Sequence, residues 1–414
     1  SYTGGTEIQS GAISSIVAGA FSTGAVTLSG NGSMTPAYNV FPVLSNSVVV
    51  NSGIIGTIST ATQYYGMTFT GPLSGSGTLQ VSMANSANTL PNAGFTNASN
   101  TFDGTFIATG SGTVRVNSLA DSANALRLGL SSTFELGSGT AASLLFANRP
   151  VQLTGAAGTS TINNNNGTAT NIISISQNLG YTSVSGNKTL ALGGSNTGAN
   201  LFVGNLANPA GFTLALTKSG SGAWILSGSN TYTGATAIQV GTLSINSIGN
   251  VSGGASALGN PGTAANGLIA MGSGTTTGTL LYTGAGHGTD RTIQIGNTTA
   301  ANAGAATITN NGSGALTFTA ATFNPTIAGI TAIRTLTLGG SYSGGNNEIQ
   351  GIIQDNVAST GKVALTKAND ASTWTLSGPN TYTGATIVSG GTLLINSPGS
   401  LGASAVAVNG TSTL

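Results

Sequence analysis

The densest polar cluster in this 414-residue chain is Gly286-His287-Gly288-Thr289-Asp290-Arg291. His287 with Asp290 nearby has the residue types of a general base and the carboxylate that orients it. It is the single histidine of the chain, cysteine is absent, and no serine has the context of a nucleophile. The matching block Ala147-Asn148-Arg149 keeps only the arginine. Asp290 and Arg291 are therefore expected to form a turn cap and its ion pair, not an acid–base device. The eight carboxylates are Glu7, Asp103, Asp121, Glu135, Asp290, Glu348, Asp355 and Asp370, and no two lie within five positions of each other. Polysaccharide-cleaving enzymes gather such groups on one face, sometimes around Ca²⁺. Glycine-rich stretches such as Ser219-Gly220-Ser221-Gly222 lack the Lys-Ser/Thr that completes a phosphate loop. No catalytic residue, metal site or cofactor is expected.

The aromatic residues carry a second possible chemistry, stacking on sugar rings. Trp224 shares strand parity with Leu226, and Trp374 with Leu376. Alternate residues of a strand face one side, so both pairs are expected to point into a core, with Ile225 and Thr375 facing the other way. Tyr2, Tyr232 and Tyr382 occupy equivalent slots, with Phe102 in a degenerate copy. They stand too far apart to meet one sugar chain in succession and are expected to anchor turns. The run Asn163-Asn164-Asn165-Asn166 is expected to be a turn or a ladder of stacked amides.

These residues sit in a chain of unusual composition. Charged residues make up 4%, against about 25% in ordinary domains. The apolar share is 39%, glycine numbers 65, and the net charge is +1. Disordered chains combine low hydrophobicity with high charge, so this chain is expected to bury a core. Without a basic cluster it has no footprint for nucleic acid, and no apolar run is long enough to cross a membrane as a helix. No N-terminal signal peptide is seen, and Ser1-Tyr2-Thr3 reads as the interior of a longer or processed chain.

Short segments with period-two alternation, such as Thr78–Val81, Thr113–Val116, Lys188–Leu192 and Thr335–Leu338, alternate with Gly/Asn/Ser turns. No amphipathic helix is found. The phrase Asn-Thr-Tyr-Thr-Gly-Ala-Thr occurs at Asn230–Thr236 and Asn380–Thr386, with a clipped form at the start of the chain and a degenerate one at Asn100–Thr105. Longer blocks recur at offsets of 142 to 150 residues, Trp224 and Trp374 among them. Repetition of this kind points to a stack of coils. The fold is expected to be all-β, a right-handed parallel β-helix with about 20–25 residues per coil. It is expected to run as one solenoid over residues 1–414, with sub-blocks near 1–99, 100–229, 230–379 and 380–414.

The runs Leu216–Gly234 and Leu365–Gly384, with their continuations Gly241–Asn246 and Gly391–Asn396, resemble the autotransporter-associated β-strand repeat. That resemblance implies a right-handed parallel β-helix in a large secreted or surface protein of bacteria. No membrane β-barrel follows the repeats before Leu414, so the autotransporter export route is not expected from these residues. Neither end shows a cap. Ile8 and Ile13 near one end, and Val406 and Val408 near the other, are expected to form edges that join copies of the chain end to end. The first expectation is thus an extracellular structural subunit of a bacterial surface filament. The alternative is an adhesin or passenger-like module binding polysaccharide or another surface, and a β-helix polysaccharide enzyme is the least expected.

Overall fold

The structure, a computed structural model, describes residues 4–37, 40–60, 66–83, 93–129, 132–137, 143–296, 304–324, 331–355, 360–403 and 405–414. Tyr2 lies outside them. The chain divides into two compact units, residues 1–205 with 209–213, and residues 206–208 with 214–414.

Both units are parallel β-helices. Strands are short because a glycine, asparagine or serine turn interrupts each alternating segment. Every pairing between named strands among the described residues is parallel. Thus Val26–Leu28 lies between Thr6–Ile8 and Val48–Val50, and Thr78–Met83 between Ile55–Thr60 and Thr105–Gly110. One residue in two points inward, as the buried–half-buried alternation of Thr78–Met83 and Gly112–Val116 shows. Inward residues of successive coils stack on one another. Phe69 and Phe95 are paired in register with rings 5.1 Å apart and nearly parallel, and Phe106 packs edge-on against Phe95 at 5.9 Å. Helix among the described residues is limited to one turn, Ala264–Gly267, whose first turn is capped by Thr263.

Coil length is less uniform than expected. Trp224 pairs with Leu243, 19 residues on, and Leu243 with Leu280, 37 residues on. The pairing face tolerates no slip, because a shift of one residue would turn the apolar side outward. The corners can absorb insertions, since lengthening a loop adds little entropy cost. The segment between Ile245 and Ile269, which contains the helical turn, is such an insertion.

In the second unit the two repeat copies do not occupy the same face. Ala223–Leu226, with Trp224, belongs to the sheet that continues through Gly241–Ile245, Thr277–Tyr282, Ala305–Asn310 and Arg334–Gly340 to Val363–Lys367. In the second copy that sheet is entered by Val363–Lys367, whereas Trp374 lies in Thr373–Leu376 on the next sheet, beside Asn346–Ile349 and Thr392–Ile395. The repeat interval is therefore a number of whole coils plus one face.

Trp224, Trp374, Leu226 and Leu376 are all fully buried. The Trp374 indole donates from Nε1 to the Gly339 carbonyl at 3.1 Å. Ile225 is half-buried, but Thr375 is 2% exposed and its hydroxyl has no hydrogen-bond partner. It was expected on the side facing away from the core; that side is itself covered here, where Glu348 and Leu394 flank it in register. Truncating Trp374 to Ala is expected to destabilise its coils by about 3–5 kcal/mol. Because coils contact only their neighbours, hydrogen exchange should show lost protection across residues 363–395 with distant coils unchanged.

Candidate functional site

The repeat phrase is a lock between coils. Asn230 Oδ1 accepts from the Leu206 N–H of the preceding coil at 2.7 Å, and its Nδ2 donates to Ala257 O of the following coil at 2.7 Å. Asn380 does the same with Ile353 N–H at 2.8 Å and Ser400 O at 2.7 Å. Asn100 in the degenerate copy accepts from Leu73 N–H at 2.8 Å and donates to Ser118 O at 3.2 Å. Buried main-chain groups at a corner, outside any strand ladder, need such partners.

Two residues on, Tyr232 and Tyr382 are fully buried. Their hydroxyls pair with Thr236 and Thr386 at 2.8 and 2.7 Å, and burial raises the pKa of both phenols. In the degenerate copy the hydroxyl pair is replaced by two rings, Phe102 edge-on to Phe106 at 6.3 Å. The glycine of the phrase passes close to a neighbouring coil: a Cβ on Gly384 would lie 2.3 Å from Val363 O, and one on Gly234 2.4 Å from Leu214 O. Gly241 and Gly391, which open the next strands, have φ of +69° and +59°, a left-handed conformation suited to glycine.

Sequence reasoning missed the cations. Lys218 and Lys367 hold equivalent repeat positions and are fully buried. The Lys218 ammonium donates to Ser219 O, Gly220 O and Val240 O at 2.7, 2.7 and 3.0 Å. Lys367 donates to Ala368 O and Gly390 O at 3.0 and 3.2 Å and pairs with Asp370 at 2.7 Å. No carboxylate forms an ion pair with Lys218 among the described residues, and burial pulls its pKa down to about 8. Burial alone would raise the Asp370 carboxyl. Hydrogen bonds from Lys367, Ser372 and the Gly340 N–H outweigh that and hold it below 3.8.

Arg149 and Arg291 form a second pair of clamps. Arg149 reaches four carbonyls, of Ala120, Gly104, Asn124 and Phe102, at 2.8 to 3.2 Å. Its burial lowers the pKa to about 10, against the opposing pull of Asp121 and Asp103. Arg291 reaches Gly267 O and Leu258 O at 2.7 Å each, while its Nη2 is buried without a hydrogen-bond partner. The one sequence signal for these roles was that a charge recurred at matching repeat positions.

The expected Asp290–Arg291 ion pair is not formed. Asp290 instead accepts from Val251 N–H at 2.7 Å, so its carboxylate anchors the inserted segment, and the guanidinium turns inward to carbonyls. His287 is not paired with Asp290 either. Its Nδ1 lies 2.5 Å from the Tyr282 hydroxyl, which also accepts from Gly286 N–H at 2.8 Å. The asparagine run forms a ladder: Asn164 Nδ2 donates to Asn200 Oδ1 at 2.6 Å, and Asn196 Nδ2 to Asn166 O at 2.8 Å. No group of three potential metal ligands is found among the described residues. Of the four edge residues, Ile8 is buried and Ile13 half-buried, while Val406 and Val408 are 42% and 46% exposed in a strand paired to Thr386–Val388.

Asn380→Ala is expected to cost about 1–3 kcal/mol, because it strands a buried N–H and a carbonyl. Asp370 sets an acid limit. Its pKa is lower in the folded state, so the unfolded state binds the proton more readily, and the stability it contributes above 3.8 is lost as pH falls through the folded value. Amide exchange near Gly340 and Ser372 should accelerate below about pH 4, and Asp370→Asn should remove that pH step.

Two segments, residues 216–245 and 365–395, match the passenger-associated-transport-repeat. Over 423 aligned residues the chain is 32% identical to an adhesin of Brucella suis described as the BmaC autotransporter. The alignment covers 97% of this chain and 12% of that protein, so the chain spans a small part of its relative's length. No solved structure matches. The matched segments are the coils that hold the asparagine, tyrosine and lysine locks, and the chain thus carries two copies of the autotransporter-associated repeat.

Proposed function

We propose that this chain is a module of a surface-displayed adhesin, a passenger-like β-helix that carries binding surfaces outside the bacterial cell and performs no catalysis. The observation that supports it most is that both matched repeats fold into locked coils, in a chain related over nearly its whole length to part of an autotransporter adhesin. The placement of polar groups agrees with a non-catalytic role. The buried cations each donate to main-chain carbonyls, Lys367 also to Asp370, and His287 and Asp290 are engaged separately. Adhesion is favoured over the end-to-end filament because the sequence relative is an adhesin.

The two repeat copies point their equivalent residues to different sheets. A ligand lying along one flank therefore meets the outward residues of successive coils, not the repeat phrase. Cells displaying the chain on a heterologous membrane anchor should adhere to extracellular-matrix, glycan or abiotic surfaces above the anchor alone, and protease should remove the gain. Unchanged adherence with intact display would refute the reading. So would depolymerisation of a polysaccharide by the purified chain that is lost in His287→Ala or Asp290→Ala.

A further inference from the structure

On one sheet of the second unit, five threonines stand in a single row. Thr242 pairs in register with Thr279, Thr279 with Thr307, Thr307 with Thr337, and Thr337 with Thr366. All five are half-buried; Thr279, Thr307, Thr337 and Thr366 each stand between two buried neighbours, and Thr242 stands between half-buried Gly241 and buried Leu243. None of their hydroxyls makes a hydrogen bond to the described residues. Strand spacing sets the row's repeat at about 4.8 Å, and residues two apart along a strand add a second spacing of about 6.6 Å. Thr335 and Thr309 lie at that second spacing from Thr337 and Thr307.

The five threonines form an uncharged row; charge lies beside it, in Asp370 over Gly339 and in exposed Lys362 before Val363. The two cations in these strands, Arg334 and Lys367, turn inward and are buried. It also offers no aromatic platform, because Trp224, Tyr282 and Trp374 are buried. Within the row a charged polymer has nothing to pair with, and a sugar chain has no ring to stack on. What remains is a rigid, regular row of hydroxyls, each beside a methyl group.

We propose that this threonine face adsorbs to ice. Each hydroxyl can take the place of a water in a hydrogen-bonded layer, while the adjacent methyl restricts where neighbouring waters settle. Ordering a water costs entropy, and a row of fixed partners at a spacing close to that of the ice lattice meets that cost before the crystal arrives. The parallel ladder supplies the rigidity, since each threonine is held by main-chain pairing to the next. The inference goes beyond the adhesin reading and does not depend on it.

The test is ice affinity of the purified, fluorescently labelled chain, with inhibition of ice recrystallisation as a second readout. The wild type should be incorporated into a slowly growing ice hemisphere and keep grains small. Thr307→Lys with Thr337→Lys should lose both effects with an unchanged circular dichroism spectrum. Thr57→Lys, half-buried on a sheet of the first unit, should retain both. If the double lysine variant fails to fold, Thr307→Val with Thr337→Val keeps the volume and should still lose adsorption. Exclusion of the wild type from ice overturns the proposal, as does adsorption that survives either double substitution. Binding to suspended cellulose or chitin that needs Thr307 and Thr337, without ice adsorption, overturns it in favour of a neutral polysaccharide. Adhesion of displayed chains can persist in each of these outcomes, so the two readings fail separately.

Discussion

The structure depends on satisfying main-chain groups at the corners of its coils. Within a face, parallel pairing satisfies each strand's N–H and C=O groups by the coils above and below. At a corner the chain turns, the ladder stops, and carbonyls point into the interior. Each such group left unpaired away from water costs about as much as a lost hydrogen bond. This chain meets the demand with buried side chains that carry several donors. An asparagine joins one coil's N–H to another coil's C=O, a lysine ammonium gathers two or three carbonyls, and Arg149 gathers four. The scarcity of charge in the sequence is consistent with this use. Of the nine lysines and arginines, six are almost completely buried: Arg149, Lys188, Lys218, Arg291, Arg334 and Lys367.

Desolvating a cation is expensive unless hydrogen bonds replace its water. A corner with several converging carbonyls supplies them, and their partial negative charges favour the protonated form. Lys218 shows the balance, since burial still lowers its pKa to about 8. Its repeat partner Lys367 has Asp370 close by, where the first copy has Ser221. The corner is thus the same device in two electrostatic versions.

Much of the fold was legible because its signal is short-ranged and repeated. Period-two alternation marked the strands, and parity with Leu226 and Leu376 placed both tryptophans inside. The face that each copy occupies was not legible, because it depends on the summed lengths of corners between the copies. Those corners carry insertions such as the one before Ile269, which no local pattern counts. The clamps were hidden for a different reason. A lysine or arginine is ordinarily read as surface, and only the three-dimensional meeting of carbonyls reveals an interior that accepts one. The Asp290–Arg291 ion pair failed on the same point. Adjacent opposite charges suggested a pair, but in the connection between Ala285–Thr289 and Ile293–Ile295 the two side chains diverge, one outward to Val251 and one inward to Gly267 and Leu258.

Locking the coils from inside has a consequence for the outside. Because inward residues and corners supply most of the locks, outward residues are largely released from that duty. The repeat phrase is then a poor guide to binding, being mostly interior and turned to a different face in each copy. The threonine row shows the converse: its members come from five coils with little else in common, and only the pairing register brings them into line. In a β-helix of this kind a binding surface is written across coils, one residue from each, and it becomes visible when the chain is read by register and not by repeat.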